Sequence, residues 1–206
     1  MMDAISIALV DLDGTMADYE RQLLADLENI RGPDEPELTD IWKHAGDHIS
    51  RRMDLIKGMP GWWENLPLIQ AGMDVVDVMR EQEWELHVLT KSPAKVPNAW
   101  TEKINWSNKY LPDAHPIITG NATEIAEPGR TKKSLVYGKV LFDDYITFMA
   151  DWLCVRSRGL GIMSVNEGNK RFKHPNVVMY DGTNLDEVRR ALEIAKNREP
   201  GEPLEL

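Results

Sequence analysis

The sequence predicts an α/β fold, namely a doubly wound parallel sheet with a small helical insertion after the first strand. Three observations predict it. Short apolar runs alternate with amphipathic helical stretches over most of the chain, which is typical of a parallel sheet. Pairs of carboxylates directly follow two of the apolar runs. The alternation is interrupted once, between residues 16 and 70, where two helical stretches follow each other without a strand between them.

The first apolar run, from Ile5 to Val10, predicts a buried strand that ends in Asp11 and Asp13. Two acids at the carboxyl end of a buried strand are costly unless they bind something, and ligands of open α/β sheets sit at that end. Gly14 allows a tight turn there, although Asp-Gly is also a common pair in ordinary surface turns.

The helical insertion is predicted from leucine spacing and from breakers. One helix is expected over 19–30, where Gly32 and Pro33 end it, and a second over 38–56, where Gly58 and Pro60 end it. The domain boundaries that follow are a core of residues 1–15 and 71–197 and an insertion of residues 16–70. Residues 198–206 are expected to be a frayed tail.

The rest of the chain continues the alternation of strands and helices. The predicted strands are Glu85–Leu89, Pro116–Thr119, Lys139–Phe142, Gly161–Val165 and Val177–Tyr180. The predicted helices are Gly72–Glu81, Pro97–Tyr110, Tyr145–Arg156 and Asn184–Lys196, with a polar loop over Gly120–Gly129 and one or two helical turns over Arg130–Tyr137.

The composition excludes several classes of function. The chain has 206 residues, a net charge of −10 and a pI of about 5.0, so non-specific binding to nucleic acid or to an anionic membrane is disfavoured. A phosphorylated small molecule stays compatible, because a bound divalent cation inverts the local field. The only cysteine, Cys154, permits no intrachain disulfide. With no visible signal peptide or membrane span, we expect a cytoplasmic protein that binds neither membranes nor nucleic acid polymers.

The arrangement Asp-x-Asp-Gly-Thr over residues 11–15 resembles the nucleophile motif of the haloacid dehalogenase (HAD) superfamily of phosphotransferases. The resemblance implies that Asp11 is the nucleophile that forms an aspartyl-phosphate. It implies that Asp13 is the general acid and then the base that activates water, since the two half-reactions move the proton in opposite directions. In HAD-like phosphatases an insertion directly after this motif is a cap over the active site, so the helical insertion is expected to be such a cap.

The remaining HAD motifs have candidates in the expected order. Thr90, at the end of a predicted strand, matches the hydroxyl that binds a phosphoryl oxygen, and Ser92 is expected to assist. Taken alone, Thr90 is more typical of a helix cap or turn. The family's lysine matches Lys132 or Lys133; we prefer Lys133, which lies ten positions before Asp143, a spacing found in the nucleotidase branch. Lys139 is the weaker candidate.

Two adjacent acids, Asp143 and Asp144, follow the apolar run over 140–142 and match the last motif. The resemblance implies that they complete a Mg²⁺ site together with Asp11 and the backbone carbonyl of Asp13. Carboxylate and carbonyl oxygens are the ligands that Mg²⁺ prefers.

Residues 5–150 resemble one branch, the 5′(3′)-deoxyribonucleotidases. The similar segments are 11–19 (DLDGTMADY), 61–67 (GWWENLP) and 90–93 (TKSP), the last of which has one inserted residue, Lys91. The resemblance implies that Tyr19 stacks on the base; the alternative, that Tyr19 packs the cap helix, stays open. Trp42, in the cap, is a candidate for a second contact with the base. The inserted Lys91 changes the family's loop that touches phosphate and sugar, and we expect Lys91 and Ser92 to bind substrate there. Trp62 and Trp63 are expected to pack between cap and core. The chain departs from the family where Tyr145 and Ile146 replace its usual Arg-Pro.

The sequence therefore predicts a Mg²⁺-dependent phosphomonoesterase that converts a deoxyribonucleoside or ribonucleoside monophosphate to nucleoside and phosphate. Two alternatives stay open: a HAD phosphatase for another small ester such as a sugar phosphate, and a non-catalytic phospho-acceptor or binding module. The family resemblance also leaves a homodimer open.

Overall fold

The computed structural model describes residues 6–41, 43, 46–120, 131–199 and 202–206. Its six strands are β1 (Ile7–Val10), β2 (Glu85–Lys91), β3 (His115–Thr119), β4 (Val140–Phe142), β5 (Leu160–Ser164) and β6 (Val177–Tyr180). Its α-helices are α1 (Tyr19–Asn29), α2 (Asp47–Gly58), α3 (Gln70–Glu81), α4 (Pro97–Tyr110), α5 (Ile146–Cys154) and α6 (Leu185–Asn197). Among the described residues, no helix is long and apolar enough to cross a bilayer.

All neighbouring strands pair in parallel, in the order β3-β2-β1-β4-β5-β6. The chain moves outward from β1 through β2 to β3 and then returns to the other side of β1 to form β4. The strand order therefore reverses between β1 and β4, and in an open α/β sheet this switch point leaves a crevice at the carboxyl ends of the strands. This confirms the predicted doubly wound parallel sheet.

The two faces of the sheet bury separate apolar clusters because side chains alternate along each strand. Ala8 and Val10 belong to the larger cluster, which also contains residues of α1, α2, α3, α4 and α6. Leu9 faces the opposite way and packs with Leu89, Leu141 and residues of α5. Helices cover both faces of the sheet, so the central strands β1 and β4 are almost entirely buried, whereas the edge strand β3 is partly exposed.

The two-helix segment leaves and re-enters the core at one place. Ala17 pairs with Leu68 in an antiparallel bridge, and the Ile69 N–H donates to the Met16 carbonyl over 2.8 Å. Gly72 permits this close passage, since a Cβ there would lie 2.3 Å from the Thr15 carbonyl oxygen. The returning chain therefore starts α3 against the turn that follows β1.

Several predicted boundaries need correction. The second helix of the insertion begins at Asp47 rather than at residue 38, and β2 continues through Lys91 instead of ending at Leu89. The helical turns expected over 130–137 are one 3₁₀ turn, Lys133–Leu135. The tail is not frayed at Leu204, which is buried against the core. The polar loop expected over 120–129 lies, from residue 121 on, outside the described residues.

Candidate functional site

A buried lysine lies between two carboxylates at the switch point. The Nζ atom of Lys133 is 2.7 Å from Asp11 Oδ1 and 2.7 Å from Asp143 Oδ2. Asp11 directly continues β1, where its N–H donates to the Phe142 carbonyl of β4, and Asp143 directly continues β4. The two carboxylates thus come from adjacent strands, and the 3₁₀ turn supplies the cation. Lys132, the alternative lysine, is exposed, and Lys139 instead donates to the Ser6 hydroxyl.

Charge pairing decides the protonation state of Lys133. Burial disfavours its charged form, but Asp11 and Asp143 more than compensate, and together they hold the pKa of Lys133 above its usual range. The ammonium also lies 4.7 Å from the centre of the Phe148 ring, which faces it with π-electron density. Lys133 is therefore a fixed positive charge beside the Asp11 carboxylate.

Three carboxylates converge here in a way that suits a hard cation. Each of Asp11, Asp143 and Asp144 offers one oxygen, and these oxygens lie within 4.8 Å of one another. Burial raises the pKa of Asp143 to about 6, against the opposing effect of Lys133. Burial and the neighbouring Asp143 raise the pKa of Asp144 well above its usual range. This crowding of carboxylates is costly without a cation, and an all-oxygen donor set fits Mg²⁺.

Gly14 makes room for this cluster. Its φ of +80° lies in the left-handed region, and a Cβ at this position would lie 2.4 Å from Asp144 Oδ2. The backbone of the turn after β1 therefore approaches the last carboxylate more closely than any side-chain-bearing residue allows.

Two asparagines that sequence reasoning missed hold Asp144 in place. Asn166 Nδ2 donates to Asp144 Oδ2 over 3.2 Å, and the buried Asn169 donates from Nδ2 to the Asp144 carbonyl over 2.8 Å. Both follow β5, whose carboxyl end reaches the same edge of the sheet. Their only sequence signal was this position after a predicted strand.

The second acid of the motif pairs with a lysine that the sequence did not single out. Lys103 Nζ lies 2.5 Å from Asp13 Oδ2. Burial raises the pKa of Asp13, although Lys103 opposes the rise. Lys103 belongs to α4, on the same helix face as the buried residues Ala99 and Trp106. A lysine at helical spacing within an apolar face was the available signal.

Several buried polar atoms near the two acids lack a hydrogen-bond partner within the described part of the chain. They are Asp13 Oδ1, Thr15 Oγ1 and Ser92 Oγ. Thr90 is also buried, at the end of β2, where it accepts a hydrogen bond from Lys103 over 3.2 Å. Buried polar atoms in native proteins are nearly always satisfied, so orphaned ones around a carboxylate cluster point to a polar ligand.

Lys91 is half-buried beside this group. Burial and the nearby Lys103 and Lys133 lower its pKa. No carboxylate among the described residues forms an ion pair with its ammonium group, so Lys91 is available to a bound anion.

The aromatic residues of the insertion pack together near the site. The Tyr19 ring stacks on Trp63 at 5.6 Å between centroids, and the Trp62 ring meets Tyr19 edge-on at 5.7 Å. Trp62 and Trp63 are buried, and the Trp63 ring lies 4.6 Å from Lys103 Nζ. Trp63 thus covers one face of Tyr19. Trp42, the expected second wall for a base, lies outside the described residues.

Comparisons with known proteins identify the fold. No protein-family model matches the chain, and no curated protein matches its sequence. Among solved structures, a HAD-family hydrolase from Deinococcus radiodurans, crystallised with phosphate and sodium, is similar with a TM-score of 0.54 at 12% identity over 94% of this chain and 97% of that one.

Two further solved structures are similar to the chain over nearly its whole length. A haloacid dehalogenase-like hydrolase from Xanthomonas campestris has a TM-score of 0.54 at 13% identity, covering 94% of each chain. A HAD-superfamily hydrolase from Ehrlichia chaffeensis has a TM-score of 0.50 at 12% identity, covering 96% of this chain and 100% of that one. The chain therefore has the fold of the HAD-superfamily hydrolases, as the sequence predicted.

Proposed function

We propose that this protein is a Mg²⁺-dependent phosphomonoesterase that uses Asp11 as its nucleophile and acts on a deoxyribonucleoside or ribonucleoside monophosphate. The observation that carries the proposal is the Asp11 carboxylate, held by buried Lys133 beside the converging carboxylates of Asp143 and Asp144 at the switch point of a HAD-type sheet. The orphaned polar atoms around it support a phosphoryl group as the ligand.

The chemistry assigns one task to each group. Thr90 and Lys133 bind oxygens of the phosphoryl group and orient it in line with Asp11. An Asp11 oxygen attacks phosphorus, the bond to the leaving oxygen breaks, and Asp13 gives its proton to that oxygen. Asp13, now a carboxylate, takes a proton from water as the water oxygen attacks phosphorus, which releases phosphate and restores Asp11. Bound Mg²⁺ would supply positive charge to the phosphoryl oxygens and to Asp11.

We further propose that residues 16–70 are a cap over this site. The chain enters and leaves the segment at one antiparallel bridge, Ala17 with Leu68. Its returning part is fastened to α4, where the Glu102 carboxylate accepts the N–H groups of Gly61 and Trp63 over 2.8 and 3.1 Å. Because Trp63 also faces Lys103, the segment reaches the neighbourhood of Asp13.

The choice of a nucleotide as the substrate depends on Tyr19, which we propose as the residue that contacts the base. Trp63 stacks on one face of Tyr19, so the base would use the opposite face. The same stacking favours a second candidate, because a tyrosine already packed between two tryptophans need not touch a ligand. In that case the substrate is another small phosphate ester such as a sugar phosphate.

The test is phosphate release from deoxynucleoside, ribonucleoside and sugar monophosphates, with Mg²⁺ and with chelator. We expect release that requires Mg²⁺, that favours deoxynucleotides, and that is lost in Asp11→Asn with the fold intact by circular dichroism. Tyr19→Leu should raise KM for nucleotides more than for sugar phosphates. Phosphate release from sugar phosphates alone would refute a nucleotide as the substrate, whereas no release by folded protein from any ester of the panel would refute phosphatase activity.

A further inference from the structure

The ammonium group of Lys103 has three hydrogen-bond acceptors, whereas a simple ion pair needs only one. Its ammonium donates to Asp13 Oδ2 at 2.5 Å, to the Lys91 carbonyl at 2.6 Å and to Thr90 Oγ1 at 3.2 Å. An ammonium group has three protons, and each has a partner here. The side chain is 1% exposed, and the Trp63 ring covers it at 4.6 Å. Its position is therefore fixed from all sides.

The two oxygens of Asp13 consequently differ. Oδ2 is held by Lys103, whereas Oδ1 is shielded from solvent and has no hydrogen-bond partner among the described residues. Rotation of the carboxyl group about its Cβ–Cγ bond would exchange the two oxygens and break the charge-assisted hydrogen bond. Lys103 thus fixes the orientation of the carboxyl group and leaves Oδ1 as the oxygen without a hydrogen-bond partner among the described residues.

We propose that Lys103 is a positioning residue: by holding Oδ2 of Asp13, it makes Oδ1 the oxygen that gives the proton to the leaving group and later takes one from water. This rests on the phosphatase function proposed above. In the first half-reaction the proton moves from Oδ1 to the leaving oxygen as its bond to phosphorus breaks. In the second it moves from water to Oδ1 as the water oxygen bonds to phosphorus.

The structural alternative is that Lys103 only joins α4 to the sheet. Apolar packing already does this, because Ala99 and Trp106 of the same helix face are buried and the Trp106 indole donates to the Leu66 carbonyl over 2.9 Å. A buried ion pair adds little stability over an apolar residue of similar volume. The burial of a lysine at this position is thus better explained by what it does to Asp13 and Thr90.

The test compares two leaving groups. p-Nitrophenolate leaves without a proton, whereas the alkoxide of a nucleoside or sugar monophosphate needs one. In Lys103→Met, we expect kcat/KM for the best alkyl ester of the panel, which reports the steps up to cleavage of the ester bond, to fall by about 10²-fold, the lower range of general acid catalysis. For p-nitrophenyl phosphate kcat/KM should fall far less, because its ester bond breaks without a proton and the later attack of water, which needs Asp13, does not enter kcat/KM. Lys103→Arg, which keeps a cationic donor, should recover part of the loss on the alkyl ester.

Lys109→Met is the matched control, since Lys109 is an exposed lysine of the same helix, and we expect it to leave both activities unchanged. Inhibition by inorganic phosphate and the unfolding temperature report whether each variant keeps its site and fold. Lys103→Gln replaces Lys103→Met in the comparison if the methionine variant does not fold. An equal fall of kcat/KM for both esters, or no fall, would overturn the role of Lys103. Wild-type protein that hydrolyses neither ester would overturn the proposed function itself.

Discussion

In the absence of a cation, raising the pH should destabilise this protein, because carboxylates crowd beside Lys133. Burial raises the pKa of Asp143 to about 6, whereas an aspartate of an unfolded chain titrates near 3.9. Between about pH 4 and about pH 6 the folded protein holds a proton that the unfolded chain has released, so stability falls as the pH rises through this window. The raised pKa of Asp144 adds to the loss.

The size of the effect follows from the same values. A rise of the pKa from 3.8 to about 6 corresponds to about 3 kcal/mol at pH values above both. A cation that binds only the folded protein, present at about a hundred times its Kd, adds about 2.7 kcal/mol. Mg²⁺ should therefore offset most of the loss at neutral pH and little of it at pH 5, where Asp143 and Asp144 are protonated.

Urea unfolding at pH 5 and pH 8, in chelator and in Mg²⁺, measures how the free energy of unfolding depends on pH and on the cation. Asp144→Asn removes one of the crowded charges and can keep the hydrogen bond from Asn166, so it should be more stable than wild type at pH 8 in chelator and should lose the response to Mg²⁺. Asp54→Asn is the control, since that side chain is 77% exposed. The proposed destabilisation by crowded carboxylates is refuted if wild type in chelator is equally stable at both pH values, or if Asp144→Asn keeps the wild-type response to Mg²⁺.

Three other variants test separate parts of the site. Lys133→Met should abolish phosphate release and destabilise the protein in chelator by about 3 kcal/mol in urea unfolding, because it leaves buried carboxylates unpaired. Gly14→Ala should remove Mg²⁺ binding in calorimetry, since its Cβ would clash with Asp144. Gly182→Ala is the control, because Gly182 has a φ of +89° but open space around it, so this variant introduces backbone strain without a clash. Glu102→Gln should speed hydrogen exchange at the backbone amides of Gly61 and Trp63, which donate hydrogen bonds to the Glu102 carboxylate.

The fold was largely predictable because each strand is an apolar run that ends in polar residues. The late start of α2 was not. Leu38 and Ile41 have the helical spacing of buried residues, and Ile41 is indeed buried, but it lies in irregular chain before Gly46. Gly46 has a φ of +132°, outside the helical region, so the helix begins only after it. Apolar spacing reports burial, and burial does not require a helix.

The site was predictable as far as it depends on strand ends. Asp11, Thr90 and Asp143 each follow or end a parallel strand, and such ends must meet. Lys103 was not predictable in this way, because its partner lies 90 positions earlier and only the tertiary fold joins them. Hydrophobicity is also an incomplete guide to burial in α4, since Ile104 is 38% exposed while Lys103, one position earlier, is buried.

Charge explains how a protein of net charge −10 could bind a phosphate ester at all. Four carboxylates meet at the switch point, and two buried lysines are paired with them. Two negative charges remain when all four are ionised, and one remains when Asp13 carries the proton that it gives to the leaving group. A phosphate dianion would be repelled by that remainder, whereas a divalent cation would cancel it. Lys91, half-buried and unpaired with any described carboxylate, then adds a positive charge for the incoming anion. On the proposed function, the cation would therefore be a condition for substrate binding as well as a participant in the chemistry, and the binding of phosphate and of Mg²⁺ would be one coupled equilibrium.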